Sequence, residues 1–133
     1  QVLVIMLKRF HSGRLKNGAL VRFPLHGLDL TPFVIAHQQT SSAATAEEPP
    51  VYDLYAVTNH FGSLHGGHYT AYAKNHTDGE WYLYDDGSTR KVSEDEIVTP
   101  AAYVLFYERR DVVARREAAR KRGGGGGASG GGA

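Results

Sequence analysis

The sequence predicts an α+β domain whose main element is an antiparallel β-sheet accompanied by short helices. Two aromatic runs of alternating character, residues 66–72 (GGHYTAY) and 81–86 (WYLYDD), are typical of strands. The turn-forming residues 75–79 (NHTDG) between them predict a hairpin. Further strand patterns occupy residues 2–10, 52–57 and 102–108, and the helix signals are confined to residues 93–97 and 111–121.

The first part of the chain predicts two strands joined by a polar tip. Residues 2–10 (VLVIMLKRF) form an apolar run closed by Lys8 and Arg9, which is typical of a buried strand that emerges into solvent. Residues 20–23 (LVRF) predict a second short strand, which Pro24 ends. Together the two strands predict a hairpin.

The middle of the chain predicts irregular connections around one strand. Residues 25–33 combine scattered apolar side chains with a proline, which indicates an irregular connection or a helical turn. The strand that begins near residue 52 is expected to end at residues 59–60, so that residues 61–67 loop back to the strand carrying His68. This loop would control access to His68.

The last third of the chain predicts two more strands and two helices. Residues 87–92 follow the central hairpin as a short strand, and residues 93–96 (SEDE) form a capping-box pattern that begins a short helix. Pro100 separates this helix from the strand at residues 102–108. Asp111 is expected to cap a final helix with a thin apolar stripe.

Composition divides the chain into a folded unit and less informative segments. Residues 1–110 carry the strand patterns, and within them residues 37–50 are expected to be a disordered insertion. Residues 111–122 predict a basic helix, and the glycine-rich residues 123–133 predict a disordered tail. Charge follows the same division, because residues 1–108 carry eight Lys and Arg against twelve Asp and Glu, whereas residues 109–122 carry seven against two.

Several classes of protein are excluded or disfavoured by composition. The chain contains no cysteine, which excludes a disulfide scaffold. Its longest apolar run, residues 2–7, is far too short to span a bilayer, so no membrane association is expected. Basic segments such as residues 109–122 are more often solvated faces than ligand sites, so no nucleic-acid partner is expected.

The central hairpin predicts a histidine–carboxylate pair. A four-residue loop would place His68 opposite Asp85, whereas a three-residue or five-residue loop would place it opposite Asp86. The residues alone leave this register open. Because side chains alternate between the faces of a strand, one of the two aspartates is expected to face away. A histidine held by a carboxylate is suited to act as a general base.

The same residues resemble the histidine box of the ubiquitin-specific proteases, which are papain-like cysteine deubiquitinases. The resemblance covers residues 66–72 with Trp81 and the aspartate pair, and extends to residues 2–10, which end in Leu-Lys-Arg-Phe, and 101–107. It implies the palm half of a papain-like α+β domain. It also implies that His68 is the general base and that Asp85 orients it, with Asp86 as the other member of the catalytic set.

A candidate substrate-binding set surrounds His68. Gly66 and Gly67 let backbone approach a ligand closely, and a substrate ending in Gly-Gly would fit a narrow slot beside them. Leu64, His65 and Tyr69 adjoin these glycines and complete the set.

The resemblance further implies thiol-dependent hydrolysis of the bond at the C-terminal glycine of ubiquitin. Ubiquitin and ubiquitinated proteins are the implied partners, no cofactor is needed, and an intracellular location in the cytoplasm or nucleus is expected. Because the chain has no cysteine, we expect it to be the C-terminal part of a catalytic domain that supplies the histidine and aspartate and is inactive alone.

Two alternatives remain open from the residues. The protein could be a pseudoenzyme that binds ubiquitin without cleaving it. His60, His65 and His68 could also form, with Asp85, the zinc site of a metallohydrolase, although their spacing does not direct them toward one point.

Overall fold

The computed structural model describes residues 1–10, 15–34, 48–63 and 65–123. The main element of this part of the chain is a single antiparallel sheet, whose last strand leads into one α-helix. The strands are β1 (Val2–Met6), β2 (Leu28–Asp29), β3 (Val51–Ser63), β4 (Gly66–Lys74), β5 (Trp81–Asp85), β6 (Ser88–Val92) and β7 (Ala102–Arg109), and the helix is α1 (Arg110–Gly123). Short 3-10 helices occupy Thr31–Phe33 and Glu94–Glu96.

The strands follow the order β1-β7-β3-β4-β5-β6, and β2 pairs with the beginning of β3. The long strand β3 is therefore central, since β7 pairs along one of its edges and β4 along the other. β4, β5 and β6 continue the sheet as consecutive antiparallel neighbours. The predicted hairpin between residues 66–72 and 81–86 is thus present as β4 and β5.

The core lies on one face of this sheet. Val57 and Leu105, which are directly paired in β3 and β7, are almost completely buried. Phe23 and Ile97 come from the irregular segments that cover this face. Complete burial of one such aliphatic or aromatic side chain contributes about 1.5–3 kcal/mol. The irregular segments therefore stabilise the sheet by taking the place that helices occupy in other α+β folds.

Tyr107 attaches the segment before β2 to the centre of the sheet. Its side chain is buried, and its hydroxyl donates a hydrogen bond to the carbonyl oxygen of Pro24 at 2.8 Å. Burial raises the pKa of Tyr107 to about 12, so the hydroxyl remains a donor at any physiological pH.

The expectation that residues 2–10 form a buried strand is wrong for β1. Within the described residues β1 pairs with β7 alone, and Val2, Val4 and Met6 are 53–56% exposed. Alternate side chains, such as those of Leu3 and Ile5, pack against the core. An edge strand with one covered face has this alternation, which a continuous apolar sequence does not reveal.

Arg9, which was expected to emerge into solvent, is 3% exposed. Its Nε donates to the carbonyl oxygen of Ala102 at 2.7 Å, and one terminal nitrogen donates to the carbonyl oxygens of Asn17 and Ala19 at 2.9 and 2.8 Å. The guanidinium group therefore joins the end of β1 to β7 and to the following loop. Burial of this charge is tolerated because three backbone acceptors surround it.

The predicted hairpin between residues 2–10 and 20–23 is also wrong. Residues 20–23 form no strand, and among the residues described here (1–10 and 15–23) the pairing is an isolated bridge between Phe10 and Lys16. The segment instead crosses the core, where Phe23 is buried. Residues 25–33 contain only the two-residue β2 and a 3-10 turn, as predicted for an irregular connection.

The connection before His68 is much shorter than predicted. β3 continues through Ser63 and β4 begins at Gly66, so most of residues 61–67 are paired strand rather than loop. Gly62 has a φ of 95°, where a Cβ atom would lie 2.6 Å from the carbonyl oxygen of Gly66. Glycine at this position permits the pairing to continue to the tip of the hairpin.

The predictions of a strand before residue 92, of the capping box and of the strand at residues 102–108 are confirmed, but Asp111 is the second residue of α1 and not its cap, because the helix begins at Arg110. β6 ends at Val92, and the capping box is present, with the backbone N–H of Ser93 donating to Glu96 at 3.1 Å. β7 leads directly into α1, whose first residue, Arg110, binds the Asp53 carboxylate at 2.6 and 2.9 Å. No helix in the described part of the chain is long and apolar enough to cross a membrane.

Two predictions of disorder fall mainly outside the described residues. Of the expected insertion, residues 37–47 are not described, and of the glycine-rich tail, residues 124–133 are not described. The described end of the insertion contacts the sheet, because the carbonyl oxygen of Pro50 accepts a hydrogen bond from the N–H of Leu30 at 3.1 Å.

Replacing Arg9 with alanine should lower the free energy of unfolding by about 3 kcal/mol, because it removes the donor from one buried and two partly buried carbonyl oxygens. Urea unfolding followed by circular dichroism measures this change. Arg22→Ala is the matched control, since Arg22 is exposed, and should change stability by less than about 0.5 kcal/mol. Equal effects of the two variants would contradict a structural role for Arg9.

Candidate active site

His68 and Asp85 meet at the outer end of the β4–β5 pair. Nε2 of His68 lies 2.5 Å from a carboxylate oxygen of Asp85, and the two side chains are 47% and 45% exposed. The site is therefore an accessible histidine–carboxylate hydrogen bond at the surface of the sheet.

The contact is diagonal, and neither predicted register is correct. Lys74 pairs with Trp81 and Ala71 with Tyr84, so the turn comprises six residues, 75–80. Continued outward, this register sets Asp85 opposite Thr70, two residues from His68 on the same face. The predicted contact with Asp85 is present, because six-residue and four-residue turns place the same aspartate on the face of His68.

The hydrogen bonds within the turn explain why it is longer than predicted. The N–H of Asn75 donates to the carbonyl oxygen of Glu80, and the N–H of Gly79 donates to that of Asn75, both at 2.8 Å. The Asn75 side chain also accepts from the N–H of Thr77 at 2.9 Å. Asparagine at the start of the turn thus closes it around residues 76–79.

Asp86 does not face away from His68 as alternation predicted. It lies in the two-residue turn between β5 and β6 and has a φ of 47°, in the left-handed region. Single atoms of His68, Asp85 and Asp86 lie within 4.8 Å of one another. The turn interrupts strand alternation at Asp86, so both carboxylates are close to the imidazole.

Both aspartates affect the protonation of His68. The hydrogen bond to Asp85 raises the pKa of His68, partial desolvation opposes this rise, and the charges of Asp85 and Asp86 add to it. A carboxylate can only accept, so Nε2 carries the proton and Nδ1 of the neutral ring is left as the basic nitrogen. The arrangement can take up a proton at Nδ1 and stabilise the resulting imidazolium.

The two glycines before His68 have different surroundings. Gly66 has open space where a side chain would project. A Cβ atom on Gly67 would collide with the carbonyl oxygen of Phe61 and with Nε2 of His60. The absence of a side chain at Gly67 therefore serves packing within the protein, and the close approach of a ligand to Gly67 stays a prediction.

The other three candidate substrate-binding residues lie in different surroundings. His65 is exposed in the turn before β4, and Leu64 lies outside the described residues. Tyr69 is 55% exposed but lies on the opposite face of β4 from His68, where its ring packs against His60. Substrate binding by these residues stays a prediction.

The three-histidine zinc site is not assembled. His60 pairs with Tyr69 whereas Phe61 pairs with His68, so His60 and His68 project from opposite faces of the sheet. Among the described residues, the acidic and histidine groups close enough to share an ion are those of His68, Asp85 and Asp86, without His60 or His65.

Buried polar residues beneath the site were not identified from the sequence. Asn59 is 1% exposed, and its amide donates to the hydroxyl of Thr70 at 3.2 Å, on the face that carries His68. Lys16 donates from Nζ to the carbonyl oxygen of His60. The polar pair Asn59-His60 in β3 is the sequence feature that could have indicated these residues. Two irregularities in the pairing of β3 with β7, however, conceal which of the two side chains points inward.

The chain matches known proteins over most of its length. The sequence model of the family described as ubiquitin carboxyl-terminal hydrolase matches residues 1–107. Human ubiquitin carboxyl-terminal hydrolase 31 is 46% identical over 125 residues, covering 81% of this chain and 9% of that protein. Rat ubiquitin carboxyl-terminal hydrolase 4 is 49% identical over 112 residues, covering 82% of this chain and 11% of that protein.

Solved structures with the same fold include the SAGA deubiquitinating module Ubp8-Sgf11-Sgf73-Sus1. The matched chain of this module gives a TM-score of 0.65 and is 28% identical in sequence, and the match covers 82% of this protein and 24% of the module's chain. The module bound to ubiquitin aldehyde gives a TM-score of 0.64 and 28% identity, with 82% and 24% covered.

The chain belongs to the ubiquitin carboxyl-terminal hydrolase family, and its fold is the α+β antiparallel sheet of that peptidase domain. It spans about a tenth of the length of the curated relatives it matches and about a quarter of the matched structures. The resemblance inferred from the histidine-box residues is confirmed.

Gly67→Ala should destabilise the fold by about 1–3 kcal/mol, because the new methyl group has to displace backbone at Phe61. Gly66→Ala is the matched control and should change the free energy of unfolding by less than about 0.5 kcal/mol, since its Cβ would meet open space. Urea unfolding of both variants measures the difference. Equal stability of the two variants would contradict the close approach at Gly67.

Asp85→Ala should lower the pKa of His68 toward its ordinary value, and Asp86→Ala should lower it less, because only Asp85 makes the hydrogen bond. Because the folded-state pKa is raised, stabilisation by this contact is present below the ordinary imidazole pKa and is lost as the pH rises through the folded-state value. Titration of the imidazole by NMR measures both pKa changes. A larger effect of Asp86→Ala would show that Asp86 is the principal partner.

Proposed function

We propose that the protein is a thiol-dependent deubiquitinase in which His68 is the general base and Asp85 orients it. The observation that carries this proposal is the contact between Nε2 of His68 and Asp85, which leaves Nδ1 free on an accessible surface. Membership of the ubiquitin carboxyl-terminal hydrolase family supports ubiquitin as the substrate class. Asp86 is proposed to assist through its charge.

In the proposed reaction, a cysteine thiol transfers its proton to Nδ1 of His68, and the thiolate attacks the carbonyl carbon of the C-terminal glycine of ubiquitin. The imidazolium then donates its proton to the departing lysine amine as the C–N bond breaks, leaving a thioester. His68 next takes a proton from water, which attacks the thioester. As the C–S bond breaks, the imidazolium returns this proton to the departing thiolate, and ubiquitin leaves with a free carboxyl group that ionises in water.

The thiol has to come from outside this sequence, because the chain contains no cysteine. We propose that another segment of the protein supplies it and that the 133-residue chain alone does not hydrolyse ubiquitin conjugates. We propose that Gly66 and His65, which are exposed next to His68, contact the C-terminal end of ubiquitin.

In the protein that also carries the thiol-bearing segment, His68→Ala should lower kcat on a ubiquitin C-terminal amide reporter by about 10²–10⁴-fold, because it removes the group that transfers protons. Asp85→Ala should reduce kcat more than Asp86→Ala, and Asp85→Asn should be milder than Asp85→Ala, since an amide oxygen can still accept from Nε2–H.

His76→Ala is the matched control for these variants, because His76 is exposed in the β4–β5 turn and should leave turnover unchanged. Turnover should be compared at equal folded fraction. Near-normal activity of His68→Ala would remove His68 from the mechanism.

A ubiquitin-binding pseudoenzyme is the second candidate, which the absence of cysteine favours. It would bind monoubiquitin in a calorimetric titration, whereas the full-length protein would not hydrolyse the reporter under any condition. Hydrolysis that depends on His68 would exclude this second function.

A further inference from the structure

His60 is a buried histidine that the proposed reaction does not use. Its side chain is 3% exposed and lies on the face of the sheet opposite His68. Burial, and secondarily the charge of Lys16, lowers the pKa of His60, so the ring is neutral under physiological conditions. Its Nδ1 has no hydrogen-bond partner among the described residues. A side chain that only filled space in the core would not need a buried polar atom without a partner. Core packing alone therefore does not account for a histidine at this position.

The ring of His60 contacts the residues on both sides of His68. Nε2 lies where a Cβ atom of Gly67 would be, so the backbone immediately before His68 rests against the imidazole. The ring of Tyr69, immediately after His68, also packs against the imidazole, with centroids 4.7 Å apart and planes inclined at 51°. One side chain therefore supports the short piece of β4 from which His68 projects.

His60 is itself held in place from several directions. The Phe10 and Tyr103 rings lie 5.4 and 5.9 Å from it, centroid to centroid. The backbone N–H of His60 donates to the carbonyl oxygen of Ala101 at 2.9 Å, and the backbone carbonyl oxygen of His60 accepts a hydrogen bond from Nζ of Lys16. The support for residues 67–69 is thus connected to β7 and to the loop after β1.

We infer that His60 is a positioning residue, whose ring fixes the backbone of residues 67–69 so that His68 meets Asp85. The inference rests on the proposed function of His68. A smaller side chain at position 60 would leave space beneath Gly67 and Tyr69, and the backbone would relax into it. The imidazole of His68 would then lose its alignment with Asp85 although no residue on its own face had changed.

His60→Ala tests this inference through the titration of His68, which a role limited to core packing would not affect. By NMR, the pKa of His68 should fall toward its ordinary value in folded His60→Ala protein. In an Asp85→Ala background the same substitution should produce no further change, because the contact through which His60 acts is already gone. The matched control His76→Ala should leave the pKa of His68 unchanged.

An unchanged pKa of His68 in folded His60→Ala would overturn the inference and leave His60 as a packing residue. Should His60→Ala fail to fold, Tyr69→Leu decides, since Tyr69 is 55% exposed and its loss opens no buried cavity. Tyr69→Leu removes one side of the support, so the pKa of His68 should fall part of the way. No change in folded Tyr69→Leu would equally overturn the inference.

Kinetics separate this inference from the proposed function. In the thiol-bearing protein, His60→Ala should lower kcat by about 10- to 100-fold, because a misplaced base slows proton transfer, and should leave KM within about two-fold. If His68 titrates as expected but the wild-type protein hydrolyses no ubiquitin conjugate, the proposed function fails while the positioning role stands. If KM alone changes, His60 acts on substrate binding and the inference fails.

Discussion

The close approach of β4 to β3 at Gly67 is the constraint on which the candidate site depends. At this point backbone lies against the carbonyl oxygen of Phe61 and the ring of His60, with no room for a side chain. The pairing continues from Ala56 with Ala73 to Ser63 with Gly66, so the strand that carries His68 is held along its full length. The role proposed for His68 requires a fixed position, and this pairing supplies it.

The position of the backbone matters because the groups around the His68–Asp85 contact do little to hold the two side chains in place. His68 and Asp85 are each nearly half exposed, and exposed pairs contribute little to stability since water screens them. Their alignment is therefore a property of the strands, and the turn at residues 85–88 adds a second carboxylate to the same region. When a substrate or another part of the protein covers this face, the loss of water strengthens both interactions.

The rest of the domain supports these strands through buried polar contacts as well as through apolar packing. Arg9 joins the end of β1 to β7 and to the loop that follows it, and Tyr107 ties the segment before β2 to the sheet. Asn59 and Thr70 form a buried hydrogen bond beside the site. Such groups are stabilising only when their partners are in place, so they also specify how the irregular segments cross the sheet.

The sequence by itself determined the central hairpin, the strands and capping box that follow it, the family, and Asp85 and Asp86 as the two candidate partners of His68. The aromatic alternation of residues 66–72 and 81–86 and the capping box at residues 93–96 are local signals, because each depends on neighbours within one element. Only the tertiary structure decided the diagonal contact to Asp85, the burial of Arg9 and the packing of His60 against Gly67. These depend on turn length, on irregular pairing between β3 and β7 and on residues distant in the chain, and no local pattern encodes them.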